Sequence, residues 1–81
     1  MHHARIEKSP RLQKALDALL RAGAKGLTTL DLFMATGSMA VHSDVAELRA
    51  NGYSVSCAMV GKNASGRRVY RYTLTGKSAA A

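Results

Sequence analysis

The sequence predicts a single α+β domain in which a bundle of three helices is followed by a two-stranded β-hairpin. Three observations support this prediction. The chain has 81 residues, which is enough for one domain. Between residues 10 and 52, apolar side chains recur every three or four positions, as on one face of a helix. Between residues 53 and 74 the pattern alternates from one residue to the next, as in half-buried strands.

The first helix is predicted over residues 10–22. Ser9 is a favourable N-cap, and Pro10 at the first helical position loses no hydrogen bond that the helix needs. Gly23 is expected to end the helix. The apolar residues of the face that should pack inward are Leu12, Leu16, Leu19 and Leu20.

Two shorter helices are predicted after a link at residues 26–27, which has room for one or two residues of strand. Thr28 and Asp31 have the spacing of a capping box at the start of the second helix, with Asp in the place usually held by Glu or Gln. Gly37 is expected to end this helix in a left-handed conformation. The residues predicted to face the core are Leu30, Phe33 and Met34.

The third helix is predicted to begin after an N-cap at Ser38 and to close at the Asn-Gly pair of residues 51–52. Its inward residues, spaced at i, i+4 and i+7, are predicted to be Val41, Val45 and Leu48. Because Val41 faces inward, its neighbours at the start of the helix should face outward. These neighbours are Ala40, His42 and Ser43.

The hairpin is predicted from two alternating segments, residues 53–60 and 67–74, which are joined by the turn-rich sequence GKNASGR. Its predicted inner face holds Val55, Cys57, Met59, Tyr70, Tyr72 and Leu74. Cys57 is therefore expected to be a buried, inert thiol. The two tyrosines can complete the core or stack on bases, and their alternating spacing favours the core.

The charge of the chain is strongly positive and unevenly distributed. Twelve Lys and Arg oppose five Asp and Glu, a formal net charge of +7. Such a surface attracts polyanions, chiefly nucleic acid or acidic membrane. Residues 1–25 carry six bases and two acids, residues 26–60 carry one base and three acids, and residues 61–81 carry five bases and no acid. The predicted third helix is thus flanked by two basic segments.

Several kinds of chemistry lack the residue patterns that they need. A single cysteine excludes an intrachain disulfide, and with three scattered His it offers no metal-binding spacing, so we expect no metal or cofactor. The hairpin turn lacks the lysine followed by Ser or Thr of a P-loop. Five acids without a clustered pair give no acid–base site, so we expect no enzyme. No apolar run approaches the roughly 20 residues that span a bilayer, so we expect no membrane partner.

Four short motifs point to one known family. They are TTLD at residues 28–31, TGS at 36–38, VAELRANGYSV at 45–55 and YRYTL at 70–74. Together they resemble the small winged helix-turn-helix proteins common in phages and prophages, over about residues 9–76. That family often has an arginine just before the apolar residue that corresponds to Val45, where this chain has Asp44. The difference argues against phosphate binding by the middle of the third helix.

The resemblance implies a winged helix-turn-helix domain over residues 9–76, with a flexible basic arm at 1–8 and a disordered tail at 77–81. It also implies a transcriptional regulator that binds double-stranded DNA in the cytoplasm of a bacterial host, in association with the nucleoid. The third helix would enter the major groove, and the hairpin would follow the backbone or an adjacent minor groove. Because a lone module buries little surface, a homodimer or a phage or host protein partner is expected. Leu32 and Met39 are candidates for such a contact or for the core.

Basic side chains of the hairpin are expected to bind phosphates, while the uncharged start of the third helix faces base edges. The residues predicted to contact DNA are Thr28, Thr29, Ser38, Ala40, His42, Ser43, Arg49, Lys62, Asn63, Arg67 and Arg68. For Arg49 a structural salt bridge is the alternative. For Asp44 and Glu47 three roles stay open: an ion pair with a base of the first helix or of the hairpin, contact with cytosine N4, and exposure to solvent.

A protein-interaction module is the alternative function. Winged helices also bind partner proteins, and an acidic third helix would suit a basic partner. The basic flanks would then provide only solubility or electrostatic steering. A titration of random duplex DNA at several salt concentrations distinguishes the two functions, since phosphate contacts weaken steeply as salt rises.

Overall fold

The computed structural model describes residues 5–77, and this part of the chain contains three α-helices and three β-strands. In chain order they are α1 (Pro10–Ala22), β1 (Leu27–Thr28), α2 (Thr29–Thr36), α3 (Val41–Ala50), β2 (Tyr53–Lys62) and β3 (Arg68–Lys77). Short 3-10 turns, Ile6–Lys8 and Gly23–Lys25, flank α1. The predicted α+β class is confirmed. Within residues 5–77, no helix has the length and apolar character needed to cross a membrane.

The sheet has three antiparallel strands in the order β1–β3–β2, so the predicted two-stranded hairpin is a correct but incomplete description. The register of the added strand sets Leu27 opposite Tyr72. Gly26 allows this close pairing, because its φ is 70° and a Cβ there would lie 2.6 Å from Thr73 Oγ1. The sequence left room for one or two residues of strand at this link, and the strand found, Leu27–Thr28, has two.

The predicted bounds and N-cap of α1 are confirmed. The Ser9 hydroxyl oxygen accepts a hydrogen bond from the backbone N–H of Leu12 at 3.3 Å. The predicted inner face is wrong at one end, because Leu20 is 61% exposed whereas Ala15 is buried. Leu20 lies about 100° around the helix from Leu19, so it turns away from the core that Leu12, Ala15 and Leu19 enter.

The capping box of α2 is confirmed. Its predicted inner stripe is wrong at Leu30 and Met34, whereas Phe33 is half-buried and packs against the core as predicted. The Asp31 N–H donates to Thr28 Oγ1 at 3.1 Å, and the Thr28 N–H donates to Asp31 Oδ2 at 3.0 Å. Only Leu32 is buried, whereas Leu30 and Met34 are 66% and 74% exposed. These two lie two residues on either side of Leu32, about 160° around the helix from it. A helix of eight residues with apolar side chains on several faces has no pattern that identifies its buried face.

Gly37 ends α2 as predicted, with a left-handed φ of 74° and an N–H that donates to the Phe33 carbonyl at 2.7 Å.

The predicted N-cap of α3 is wrong. Its N-cap is Ala40, and the Ser38 hydroxyl accepts from the Ala40 N–H at 3.2 Å within the preceding turn. The predicted inward face of α3 is confirmed, since Val41, Val45 and Leu48 are all buried.

The core lies where the three helices meet the base of the sheet. Its buried apolar residues are Leu12, Ala15, Leu19, Leu32, Val41, Val45, Leu48, Val55 and Tyr72.

The backbone N–H of Ile6 donates to Asn51 Oδ1 at 3.1 Å, and the Ile6 side chain packs against the core. Of the predicted arm and tail, residues 1–4 and 78–81 lie outside the described part of the chain.

The third helix covers only the base of the hairpin. Residues 62–68, at the turn end of the hairpin, are all exposed, so this end projects beyond the part that packs against the helices. Val55 and Tyr72 are buried, whereas Met59 is 56% exposed. Cys57 is exposed although it lies directly opposite Tyr72 in the strand register. The predicted inner face is therefore wrong for Cys57 and Met59, because alternation identifies one face of a strand but not what covers it.

A partly buried ion pair joins α1 to α3. Arg11 of α1 donates from Nη1 to Asp44 Oδ1 and from Nη2 to Glu47 Oε2, the second contact at 2.9 Å. Asp44 is 3% exposed, so its charge depends on this one guanidinium. Among the roles considered for the two acids of α3, pairing with a base of the first helix is the one found.

We expect Arg11→Ala to lower the free energy of unfolding by roughly 2–3 kcal/mol, because it leaves the buried Asp44 carboxylate without its cation. Urea denaturation monitored by circular dichroism measures this change. Arg21→Ala is the matched control, since Arg21 pairs with Asp17 at 3.1 Å on the exposed side of the same helix. The control should change the free energy by less than about 0.5 kcal/mol. Equal effects of the two substitutions would show that the Arg11 contacts add no stability.

The capping box should make stability depend on pH. The hydrogen bond from the Thr28 backbone N–H, followed by the contact with the Thr28 hydroxyl, lowers the pKa of Asp31 below its ordinary value of 3.8. The stabilising contribution of Asp31 is therefore complete above that value and is lost as pH falls through the folded-state pKa. The difference in unfolding free energy between the wild type and Asp31→Asn should be largest near neutral pH and shrink in acid. A difference that does not vary with pH would contradict this.

Candidate nucleic-acid interface

The projecting end of the hairpin carries three cations, Lys62, Arg67 and Arg68, which we name the hairpin tip. All three are exposed, and none forms a salt bridge with any other residue between 5 and 77. The strand register sets Lys62 opposite Arg68. Like charges at directly opposed positions repel each other, so an anion that binds between them is stabilised.

The turn at the hairpin tip is held by the side chain of Asn63. Its Oδ1 accepts hydrogen bonds from the backbone N–H groups of Ser65 at 2.9 Å and Arg67 at 3.0 Å. Its own backbone N–H donates to the Arg67 carbonyl at 2.9 Å. Asn63 was predicted to contact DNA directly; its carboxamide oxygen is engaged inside the turn, where it fixes the direction in which the tip cations point.

The hairpin tip and the start of α3 lie on the same side of the sheet. Arg68, Tyr70 and Tyr72 alternate along β3, so their side chains project from one face. The ring of His42 meets both tyrosine rings edge-on, with centroid distances of 6.2 Å to Tyr70 and 5.7 Å to Tyr72. A surface that begins at His42 therefore continues along β3 to Arg68.

An open groove of about 620 Å³ joins the hairpin tip to α2 and to the turn before α3. Its lining residues are Thr28, Thr29, Leu30, Phe33, Ser38, Met39, Val41, Asn63, Arg67, Arg68 and Val69. Six of the eleven residues predicted as a binding site are in this set, although they come from three separate segments. Sequence reasoning missed the apolar part of the groove, because it assigned Leu30 to the core and treated Met39 as a core or dimer residue.

The start of α3 is exposed and carries no charge. Ala40, His42 and Ser43 are exposed, as the inward position of Val41 predicted. The two carboxylates of α3 are turned toward α1, where Arg11 binds both of them. The guanidinium offsets one of their two negative charges, and neither carboxylate is among the residues that line the groove.

Three predicted contact residues have other roles or positions in the fold. The Thr28 hydroxyl belongs to the capping box of α2, and Thr29 is half-buried beside Tyr72. The guanidinium of Arg49 donates to the Val55 carbonyl from Nε at 3.1 Å and from Nη2 at 2.7 Å. The partner of Arg49 is thus a backbone carbonyl and not the acid of the predicted salt bridge, and the contact ties α3 to β2.

We expect the Cys57 thiol to react in the folded protein, because Cys57 is exposed. Ellman's reagent should modify native protein at a rate close to that of the chain in denaturant, and Cys57→Ser should not react at all. If the thiol reacts only after unfolding, Cys57 is buried in the native protein, as the sequence predicted.

Between residues 5 and 77 no three His, Cys, Asp or Glu side chains are grouped so that they could hold a metal ion. The candidate interface therefore consists of cations, hydroxyls, one imidazole and apolar side chains. Comparison of the chain with protein-family models, with curated proteins and with solved structures gave no match.

Proposed function

We propose that this chain is a winged helix-turn-helix protein that binds double-stranded DNA with a preference for particular sequences. The observation that carries the proposal is the position of the unpaired hairpin tip on the same side as the exposed, uncharged start of α3. The order of helix, short strand, two helices and hairpin supports the winged-helix assignment. In this proposal α3 enters the major groove, and the hairpin follows the phosphate backbone or the adjacent minor groove.

The charge distribution supports a division of roles between these two elements. Lys62, Arg67 and Arg68 have no carboxylate partner and suit phosphate contacts, which supply affinity without sequence information. The start of α3 presents small and polar groups, which suit base edges. We further propose that the protein acts as a phage or prophage transcriptional regulator in the bacterial cytoplasm.

The alternative, a module that binds proteins, is favoured by a different observation. Leu30, Met34 and Met39 are all exposed large apolar residues of α2 and its following turn, and such residues are common at protein interfaces when they are contiguous. A basic protein partner was suggested because the third helix is acidic. This reason is weaker now, because Arg11 already binds both Asp44 and Glu47. DNA binding agrees better with the surface charge.

A salt titration of a labelled random duplex tests the proposed function. With three phosphate contacts, the logarithm of the binding constant should fall with the logarithm of salt concentration with a slope near −3. Arg67→Ala combined with Arg68→Ala should weaken binding to all sequences and make the slope shallower by about 2.

Lys14→Ala combined with Lys25→Ala is the charge-matched control, because these lysines border a separate groove between α1 and α2. The control should retain the slope. If no duplex binds at about 50 mM salt, where phosphate contacts are strong, the proposal of DNA binding fails. That result would favour the protein-interaction alternative. If both pairs of substitutions lose affinity equally, the hairpin tip is not the phosphate contact.

A further inference from the structure

His42 lies in the first turn of α3, and one edge of its ring is held by the sheet. Its Nδ1 forms a hydrogen bond with the hydroxyl of Tyr72, a residue that is 2% exposed. Tyr70 supports the ring edge-on. The imidazole is thus oriented by a buried partner from another element, while the residue as a whole remains exposed.

The partner on Nδ1 decides which ring nitrogen carries the proton. Burial raises the pKa of the Tyr72 phenol, Cys57 raises it further, and a hydrogen bond with Thr29 lowers it. The phenol keeps its proton and can donate it to Nδ1, with Thr29 and Cys57 as the other hydrogen-bond partners of the same hydroxyl. A neutral imidazole that accepts at Nδ1 carries its own proton on Nε2. Nε2 has no hydrogen-bond partner among residues 5–77. The ring therefore presents an N–H donor to solvent beside the groove.

The surroundings leave this donor available to a ligand. The exposed neighbours at the start of α3 are Ala40 and Ser43, which carry no charge. The nearest acids of the helix, Asp44 and Glu47, are bound to Arg11 and cannot capture the imidazole N–H. A ligand that fits here offers hydrogen-bond acceptors.

We propose that His42 is a specificity-determining residue, whose Nε2–H donates to the O6 and N7 edge of a guanine in the major groove, and that Tyr72 is the positioning residue that fixes its tautomer. This inference rests on the proposed function. Guanine is the base that fits best, because it presents two adjacent acceptors. The other bases present only one acceptor or none at this edge. In adenine, N7 lies beside a donor amino group; in thymine, O4 lies beside a methyl group; and cytosine presents a donor.

The tautomer is tested in the free protein, without DNA. Nitrogen-15 NMR of the histidine rings should show His42 protonated at Nε2 in the wild type and a mixture of tautomers in Tyr72→Phe, which keeps the ring that fills the core. A wild-type ring protonated at Nδ1 would overturn the assignment, because the donor would then point into the fold.

The base contact is tested on the strongest duplex selected from a random pool. Replacing one guanine at a time with 7-deazaguanine removes a single N7 acceptor. At one position the wild type should lose about three- to tenfold in affinity, the size of one net hydrogen bond. His42→Ala should bind more weakly and no longer respond to that replacement, whereas Ser43→Ala, on the same helical turn, should still respond.

His42→Gln tests the base contact more sharply, because a change in the preferred base is expected and not only a loss of affinity. A carboxamide presents a donor and an acceptor together, which matches the edge of adenine, so the preferred base at that position should change from guanine to adenine. A purely structural role for His42 would weaken binding without exchanging one base for another.

The outcomes separate this inference from the proposed function. Duplex binding with no response to 7-deazaguanine, or a response that persists in His42→Ala, would overturn the role of His42 and leave DNA binding intact. Absence of any duplex binding would overturn both. Loss of the response in Ser43→Ala as well would assign the contact to the helix as a whole and overturn the assignment to His42.

Discussion

The contact of Arg11 with Asp44 and Glu47 determines the rest of the surface. It joins the first helix to the third, and it places both carboxylates of the third helix against a cation of the same chain. Without it, Asp44 would be a buried charge with no partner, and Glu47 would lose its cation. Because Arg11 offsets one of these two charges and holds both carboxylates toward α1, the cations of the hairpin have no acid of α3 as a partner.

The second constraint is the difference in length between helices and strands. A helix and a strand with equal numbers of residues differ about twofold in length, so β2 and β3 must extend past α3. The covered end of the hairpin completes the core with Val55 and Tyr72. The uncovered end carries charge on Lys62, Arg67 and Arg68, and Met59, which leads to it, is exposed. One simple geometric fact thus separates the part of the hairpin that stabilises the fold from the part that can meet a ligand.

The order, type and approximate bounds of the elements could be predicted because they depend on local signals. Ser9-Pro10, the Thr28 and Asp31 capping box and the left-handed Gly37 each act within four residues. The errors arose where the answer depends on distant residues. Nothing near Leu30 or Met34 in the sequence tells which face of α2 meets the core, and alternation could not tell that Cys57 is exposed while Tyr72, directly opposite it, is buried. The pairing of Tyr72 with His42 spans 30 residues, so no local spacing indicated it. The candidate site was predicted mainly through its charge, which is a property that composition reports directly.

The opposition of Lys62 and Arg68 across the hairpin also has a consequence for the free protein. Two cations held side by side concentrate small anions around themselves, and each condensed ion relieves part of their repulsion. The outermost rungs of the ladder should therefore fray most readily in dilute buffer and tighten as ionic strength rises, which is the opposite of what salt does to an attractive ion pair. A bound polyanion displaces those small ions and takes over their role, so that occupancy and local order of the hairpin end increase together.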